Sequence, residues 1–220
     1  KLETNIDHLS DNQKQMLNKL FEIADIINEI YWIEAYGDKQ QLMETTENPV
    51  LRSLYAINYG PWERLNNNKA FLPQFGSKPA GANFYPKDIT KEEFEAFESS
   101  DKANLYTLLR RNSDGSLESI FYHDFFKEDV MKISELLLEA AALADDDGFK
   151  SYLEKRAAAV LTDEYYESDV AWMEMKNNSI DFVVGPIENY EDNLFNYKAA
   201  HESFILIKDP EWSDRLQKFA

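Results

Sequence analysis

VVGPIENYEDNLFNYKAAHESFILI, residues 183–207, places two apolar runs (183–187 and 204–207) around an interval that holds four acids, two tyrosines and a histidine. Short, β-branched apolar runs bounded by Gly, Pro and Asn read as strands, here over 180–184 and 203–208. The polar interval between them has two readings. It is an ordinary surface loop, or it is the wall of an active site whose other parts lie elsewhere.

Working outward, the pattern is mostly helical. Ser10 followed by Gln13 forms a capping box. From Met16 through Leu20, Ile23, Ile27 and Ile30 the apolar spacing predicts one long helix that ends before Gly37. A short helix over 50–57 follows Pro49. Thr90 and Glu93 open another through Phe97, and amphipathic helices fit 127–143, 149–161 and 165–176. Apolar flanks on either side of Asp114-Gly115 predict a hairpin of strands 105–111 and 117–122. A last helix begins after Pro210. The fold class expected is therefore α+β, mostly helical with a small, largely antiparallel sheet, taken as a single domain over 1–220. Residues 59–86 stand apart, with four of the seven prolines, three of the seven glycines and six aromatics. That composition suits packed structural wrapping that also has the makings of a site lining.

Composition narrows the function. At 220 residues with 44% hydrophobic and 14% aromatic content, the chain can bury a sizeable core and is no disordered tail. No run approaches the roughly twenty apolar residues of a membrane span, so a soluble chain without a membrane partner is expected, the cytoplasm favoured over the periplasm. The first residue is Lys1 and L-E-T-N-I-D is no signal-peptide core, which suggests a trimmed N-terminus. With no cysteine, disulfides, thiolate metal sites and cysteine nucleophiles are absent. A net charge of −18 opposes phosphate neutralisation, so nucleic acid is not an expected partner. It favours a cationic ligand group such as a peptide's N-terminal ammonium.

Most chemical motifs are missing. There is no G-x-x-x-x-G-K-[ST], G-x-G-x-x-G or G-x-S-x-G. His8, His123 and His201 each stand alone, so no helical zinc pair is supplied and no metal site is assigned to this chain. His123, in F-Y-H-D-F-F, reads as a structural strand-end residue. D-D-D-G at 145–148 lacks the spacing and the terminal Glu of a calcium loop, and reads as a solvated turn. What remains is Glu188-Asn189-Tyr190. Beyond Pro186 an extended chain puts Glu188 and Tyr190 on one face, where a carboxylate anchors an ammonium while a phenol hydrogen-bonds an oxyanion. E-x-Y is a common triplet, and a polar strand end is the competing reading.

Three segments carry a resemblance: Y-E-S-D-V-A-W-M-E-M from Tyr166, D-F-V-V-G-P-I-E-N-Y-E-D from Asp181, and K-A-A-H-E-S-F-I from Lys198. In that order, over 163–219, they resemble the dipeptidyl-peptidase III family of zinc metallopeptidases. N-Y-G-P-W (58–62) and G-A-N-F-Y-P (81–86) are similar to its shorter bacterial branch. The resemblance implies a two-lobed enzyme with a wide cleft that removes dipeptides from peptide N-termini. One lobe is helical and carries zinc through H-E-x-x-G-H and a downstream glutamate, while the other, built partly around a β-core, binds the substrate's N-terminus. Carried over, Tyr190 matches the tyrosine that stabilises the transition state and Glu188 the glutamate that holds the α-ammonium. Glu202 falls on the same substrate-binding wall. Neither zinc motif is present, since L-E-K-R-A-A from Leu153 lacks the paired acids and precedes the strand. The expectation is thus the N-terminal, substrate-binding part of a longer bacterial protein, inactive alone. Its partners would be a peptide substrate and a C-terminal zinc lobe whose docking face is left exposed and apolar. Zinc would belong to the full-length protein and to no residue here. The alternative is a non-catalytic peptide-binding or protein-interaction domain. A third outcome is a structural E-N-Y in an enzyme diverged to another hydrolysis.

Overall fold

A computed structural model describes residues 4–216 and Lys218. Among these the fold is α+β as expected, 46% helical with nine α-helices and three two-stranded antiparallel sheets. The chain forms two compact units, Lys1–Ile26 with Lys127–Gly185 and Ser203–Ala220, and Ile27–Phe126 with Pro186–Glu202. Helix α1 (Asp11–Ala35) contributes to both. At its start the capping box is made in full, Gln13 N donating to Ser10 Oγ at 3.1 Å and Ser10 N to Gln13 Oε1 at 3.0 Å.

In the first unit α6 (Lys127–Ala142), α7 (Asp147–Ala159) and α8 (Tyr166–Glu174) pack consecutively. Buried Met16, Leu20, Ile133, Leu137, Phe149 and Leu153 lie at their cores, and Ser134 Oγ donates to Ala157 O at 2.7 Å to tie α6 to α7. The D-D-D-G segment is a helix start. Asp146 accepts from Phe149 N at 2.8 Å, so α7 begins two residues before the expected Phe149. Arg156 is buried with its guanidinium 5.3 Å from the Tyr152 ring and 5.1 Å from Tyr165, paired to Asp169.

The second unit is built on an aromatic cluster. Trp32, Leu42 and Tyr55 are fully buried, with Tyr36, Tyr59, Phe71 and Phe75 packed against them. Tyr55 sits on α3 (Pro49–Asn58), and Leu42 on a helix that periodicity missed, α2 (Lys39–Thr45). With only Leu42 buried, α2 has no apolar stripe; Asp38 accepting from Gln41 N at 2.7 Å starts it. Residues 59–86 wrap this cluster, with a two-residue ladder of β1 (Trp62–Glu63) and β2 (Lys69–Ala70) and a 3-10 turn at Pro73–Phe75. After α4 (Lys91–Ala96) the expected hairpin forms from β3 (Thr107–Arg111) and β4 (Leu117–Phe121), pairing Thr107 with Phe121 and Arg111 with Leu117. His123 follows directly, on the short α5 (Tyr122–Phe125), stacked 5.6 Å from Phe121.

Strands β5 (Ile180–Glu188) and β6 (Ala200–Ile207) pair, and α9 (Pro210–Leu216) follows. Both strands reach further toward the polar interval than the apolar runs suggest, because β5 continues through Gly185-Pro186. Gly185 has φ +126°, and a Cβ there would lie 3.3 Å from both the Arg156 guanidinium and the Tyr165 ring. Gly185→Ala is therefore expected to cost about 1–3 kcal/mol of stability in urea unfolding, through backbone strain and displacement of the Arg156 stack.

Candidate functional site

In the second unit, residues 189–199 connect β5 to β6. A connection this polar holds one shape only if its backbone groups find partners, and Asp192 supplies them. Fully buried, it accepts from the amides of Leu194 and Phe195 through Oδ1 (3.0 and 3.1 Å) and of Tyr197 and Lys198 through Oδ2 (2.9 and 3.2 Å). The Tyr85 hydroxyl donates to the same Oδ2 at 2.7 Å. Burial, then the Asp192 charge, raises the Tyr85 pKa.

Lys198 closes the connection from the other end. Its buried Nζ donates to Lys102 O (2.8 Å), Asn104 O (2.9 Å) and Thr107 Oγ1 (2.7 Å). Burial pushes its pKa down to about 7, with Asp192 opposing. Three donors to three acceptors is the pattern of an ammonium, since a neutral amine supplies only two. A folded pKa below the unfolded value makes the folded state bind fewer protons between about pH 7 and 10.5. Stability from this group rises with pH across that window and carries its full penalty below it. Wild type is expected to gain on Lys198→Met as the pH is raised from 7 to 10.5, read as paired urea midpoints.

Glu191 lies inside as well. Arg64 grips it bidentately at 2.8 and 3.2 Å, Lys78 pairs with it, and the Tyr31 hydroxyl donates to it at 2.9 Å. Burial opposes its ionisation, but the Arg64 hydrogen bonds and the two cations outweigh it and lower its pKa. Arg64 is itself held over the rings of Tyr31 and Tyr59, at 5.3 and 5.6 Å. A third acid, Glu34 of α1, is fully buried and accepts from His201 N at 2.8 Å, with His201 Nδ1 2.7 Å from its other oxygen.

Two carboxylates remain, both named from the sequence. Glu188 is exposed and Glu202 half-buried, and neither is paired with a cation among the described residues. Their fields overlap: burial first, then Glu188, then Glu34 and Glu191 raise the Glu202 pKa. Tyr190 is 77% exposed, its hydroxyl without a partner among the described residues. The strand ends at Glu188, and Asp192 N donates to Asn189 O in a turn. Period-two alternation therefore stops before Tyr190, and the turn aims it. Asn193 Nδ2 donates to Tyr190 O at 3.1 Å and helps hold that turn. Spacing did not assign Glu34, Arg64, Lys78, Asp192 or Lys198. For Asp192 a signal existed, as the acid two places beyond the tyrosine in the quoted motif.

Among the described residues no group of three or more His, Asp or Glu side chains is placed to hold a metal ion, so this chain's residues do not fit the zinc that the resemblance implies. Among the described residues no helix is long and apolar enough to cross a membrane.

Set beside known proteins, the chain superposes on dipeptidyl-peptidase III of Caldithrix abyssi with a TM-score of 0.91 and 37% identity, covering 98% of this chain and 43% of that one. Dipeptidyl-peptidase III of Corallococcus sp. strain EGB gives 0.89 and 32%, covering 100% of this chain and 43% of that one. The resemblance to dipeptidyl-peptidase III thus holds in three dimensions over essentially the whole chain. In sequence the chain is also 27% identical to Nudix hydrolase 3 of Arabidopsis thaliana over an alignment 280 positions long, covering 99% of this chain and 36% of that protein. The chain spans less than half the length of these relatives. No protein-family model matches it.

Proposed function

We propose that this chain is the N-terminal, substrate-binding part of a dipeptidyl-peptidase III-like zinc peptidase of bacterial type, with the zinc-holding residues in a lobe outside it. Glu188 and Glu202 hold the α-ammonium of a peptide, and Tyr190 donates a hydrogen bond to the oxyanion that develops at the attacked carbonyl. One observation carries this reading. Of the acids around the β5–β6 connection, Glu191 is neutralised by two cations and Glu34 is tied to His201, while Glu188 and Glu202 stay uncompensated among the described residues. A positive charge would relieve them. Phe204 and Leu206, 52% and 51% exposed on one face of β6, suit the docking of such a lobe.

The test compares a free peptide with its N-acetylated form on this chain. The free peptide is expected to bind about tenfold tighter or better, and Glu188→Gln to erase the difference. Because the ammonium needs Glu202 ionised and its pKa is raised, the preference should fade on acidification earlier than it would with an unshifted glutamate. Equal binding of both peptides at neutral pH removes the assignment. A preference that survives while the longer zinc-bearing protein shows no hydrolysis leaves a non-catalytic peptide-binding domain.

A further inference from the structure

Residues 59–86 enclose a feature that the reading above does not use. In the second unit a cavity of about 250 Å³ is lined by Tyr36, Trp62, Phe75, Pro79, Ala82 and Lys87, among others. Its walls are built in place. Trp62 is buried and its indole Nε1 donates to Gly76 O at 3.0 Å. Its ring lies 5.8 Å from that of Tyr36, tilted by 56°. Gly60, at φ +144°, makes that approach possible, since a Cβ there would sit 3.3 Å from the Trp62 ring and 3.5 Å from Tyr36. Behind the lining, Tyr55 meets Phe75 edge-on at 5.8 Å, and its buried hydroxyl has no hydrogen-bond partner among the described residues.

The dimensions and the chemistry select a ligand. A cavity of roughly 150 Å³ accommodates benzene, so this one has room for a six-membered ring. Rings on several sides offer the faces and edges that an aromatic guest prefers over an aliphatic one. Lys87 is the charged residue of the lining, exposed and in no ion pair among the described residues. In a chain of net charge −18, this one cation, in a lining that also offers Gln74 and Ser77 beside the rings, complements an anion.

We propose that this cavity binds an aromatic ring bearing a carboxylate, the chemistry of a peptide's C-terminal Phe, Tyr or Trp or of a free aromatic acid. The ring lies against Tyr36, Trp62 and Phe75, and the carboxylate faces Lys87. The site goes beyond the function proposed above and involves none of Glu188, Tyr190 and Glu202.

The indole N–H resonance of Trp62 reports on it directly. N-acetyl-L-phenylalanine is expected to shift that resonance with a Kd of about millimolar, in keeping with a ligand of its size. N-acetyl-L-leucine should bind about fivefold more weakly, and N-acetyl-L-phenylalaninamide about two- to fivefold more weakly. Lys87→Met should make acid and amide equal, and Glu188→Gln should change neither. Ala-Ala-Phe binding as well as N-acetyl-L-phenylalanine assigns the peptide C-terminus as the source; weaker binding by the tripeptide assigns the free acid. The proposal is overturned if the Trp62 signal does not move, if leucine equals phenylalanine, or if the acid–amide difference survives in Lys87→Met.

Discussion

Asp192→Ala is expected to lower the unfolding free energy by about 3–5 kcal/mol, read in urea and by loss of amide protection over 189–198. One buried carboxylate takes four backbone N–H groups and the Tyr85 hydroxyl. Alanine removes the acceptor of every one of these donors, with the Lys198 amide and the Tyr85 hydroxyl buried and the others partly so, and leaves the nearby Lys198 ammonium without its counter-charge. Asp192→Asn keeps one acceptor oxygen and should lose less. A loss under about 1 kcal/mol for the alanine variant would mean that the connection holds its shape through Glu191 and Lys198 alone.

Tyr190→Phe separates chemistry from folding. The Tyr190 hydroxyl is exposed and unpartnered among the described residues, so its removal should leave stability within about 0.5 kcal/mol. If the longer protein is the zinc peptidase proposed above, the same change is expected to lower kcat about a hundredfold or more with KM little altered, because the proposed donor would act only on charge that appears in the transition state. An unchanged kcat would remove the role assigned to Tyr190.

Much of the fold was legible because most elements carry a signal of their own. Ser10 with Gln13, Pro49, Thr90 and Asp114-Gly115 each mark a boundary where the structure has one. The short α2 and α5 escaped periodicity, since seven and four residues are too few to show a stripe. The candidate site was legible only in outline. Glu188, Tyr190 and Glu202 come from a local motif, whereas the partners that hold their connection lie far back in the chain. Arg64 and Glu191 are 127 residues apart, Tyr85 and Asp192 107. No local pattern encodes pairing at that distance. Alternation also misled at Tyr190, where a turn replaces the strand.

The division of the second unit between two stretches of chain has a consequence for inheritance. Residues 186–202 meet 27–126 through Glu191 with Arg64 and Lys78, Asp192 with Tyr85, and His201 with Glu34. A crossover anywhere between 126 and 186 would take one half of every pair from a different parent. Chimaeras of related chains should fold when both parents keep the same charges at 64, 78 and 191. They should fail when one parent has traded them, however conservative the exchange looks within each half.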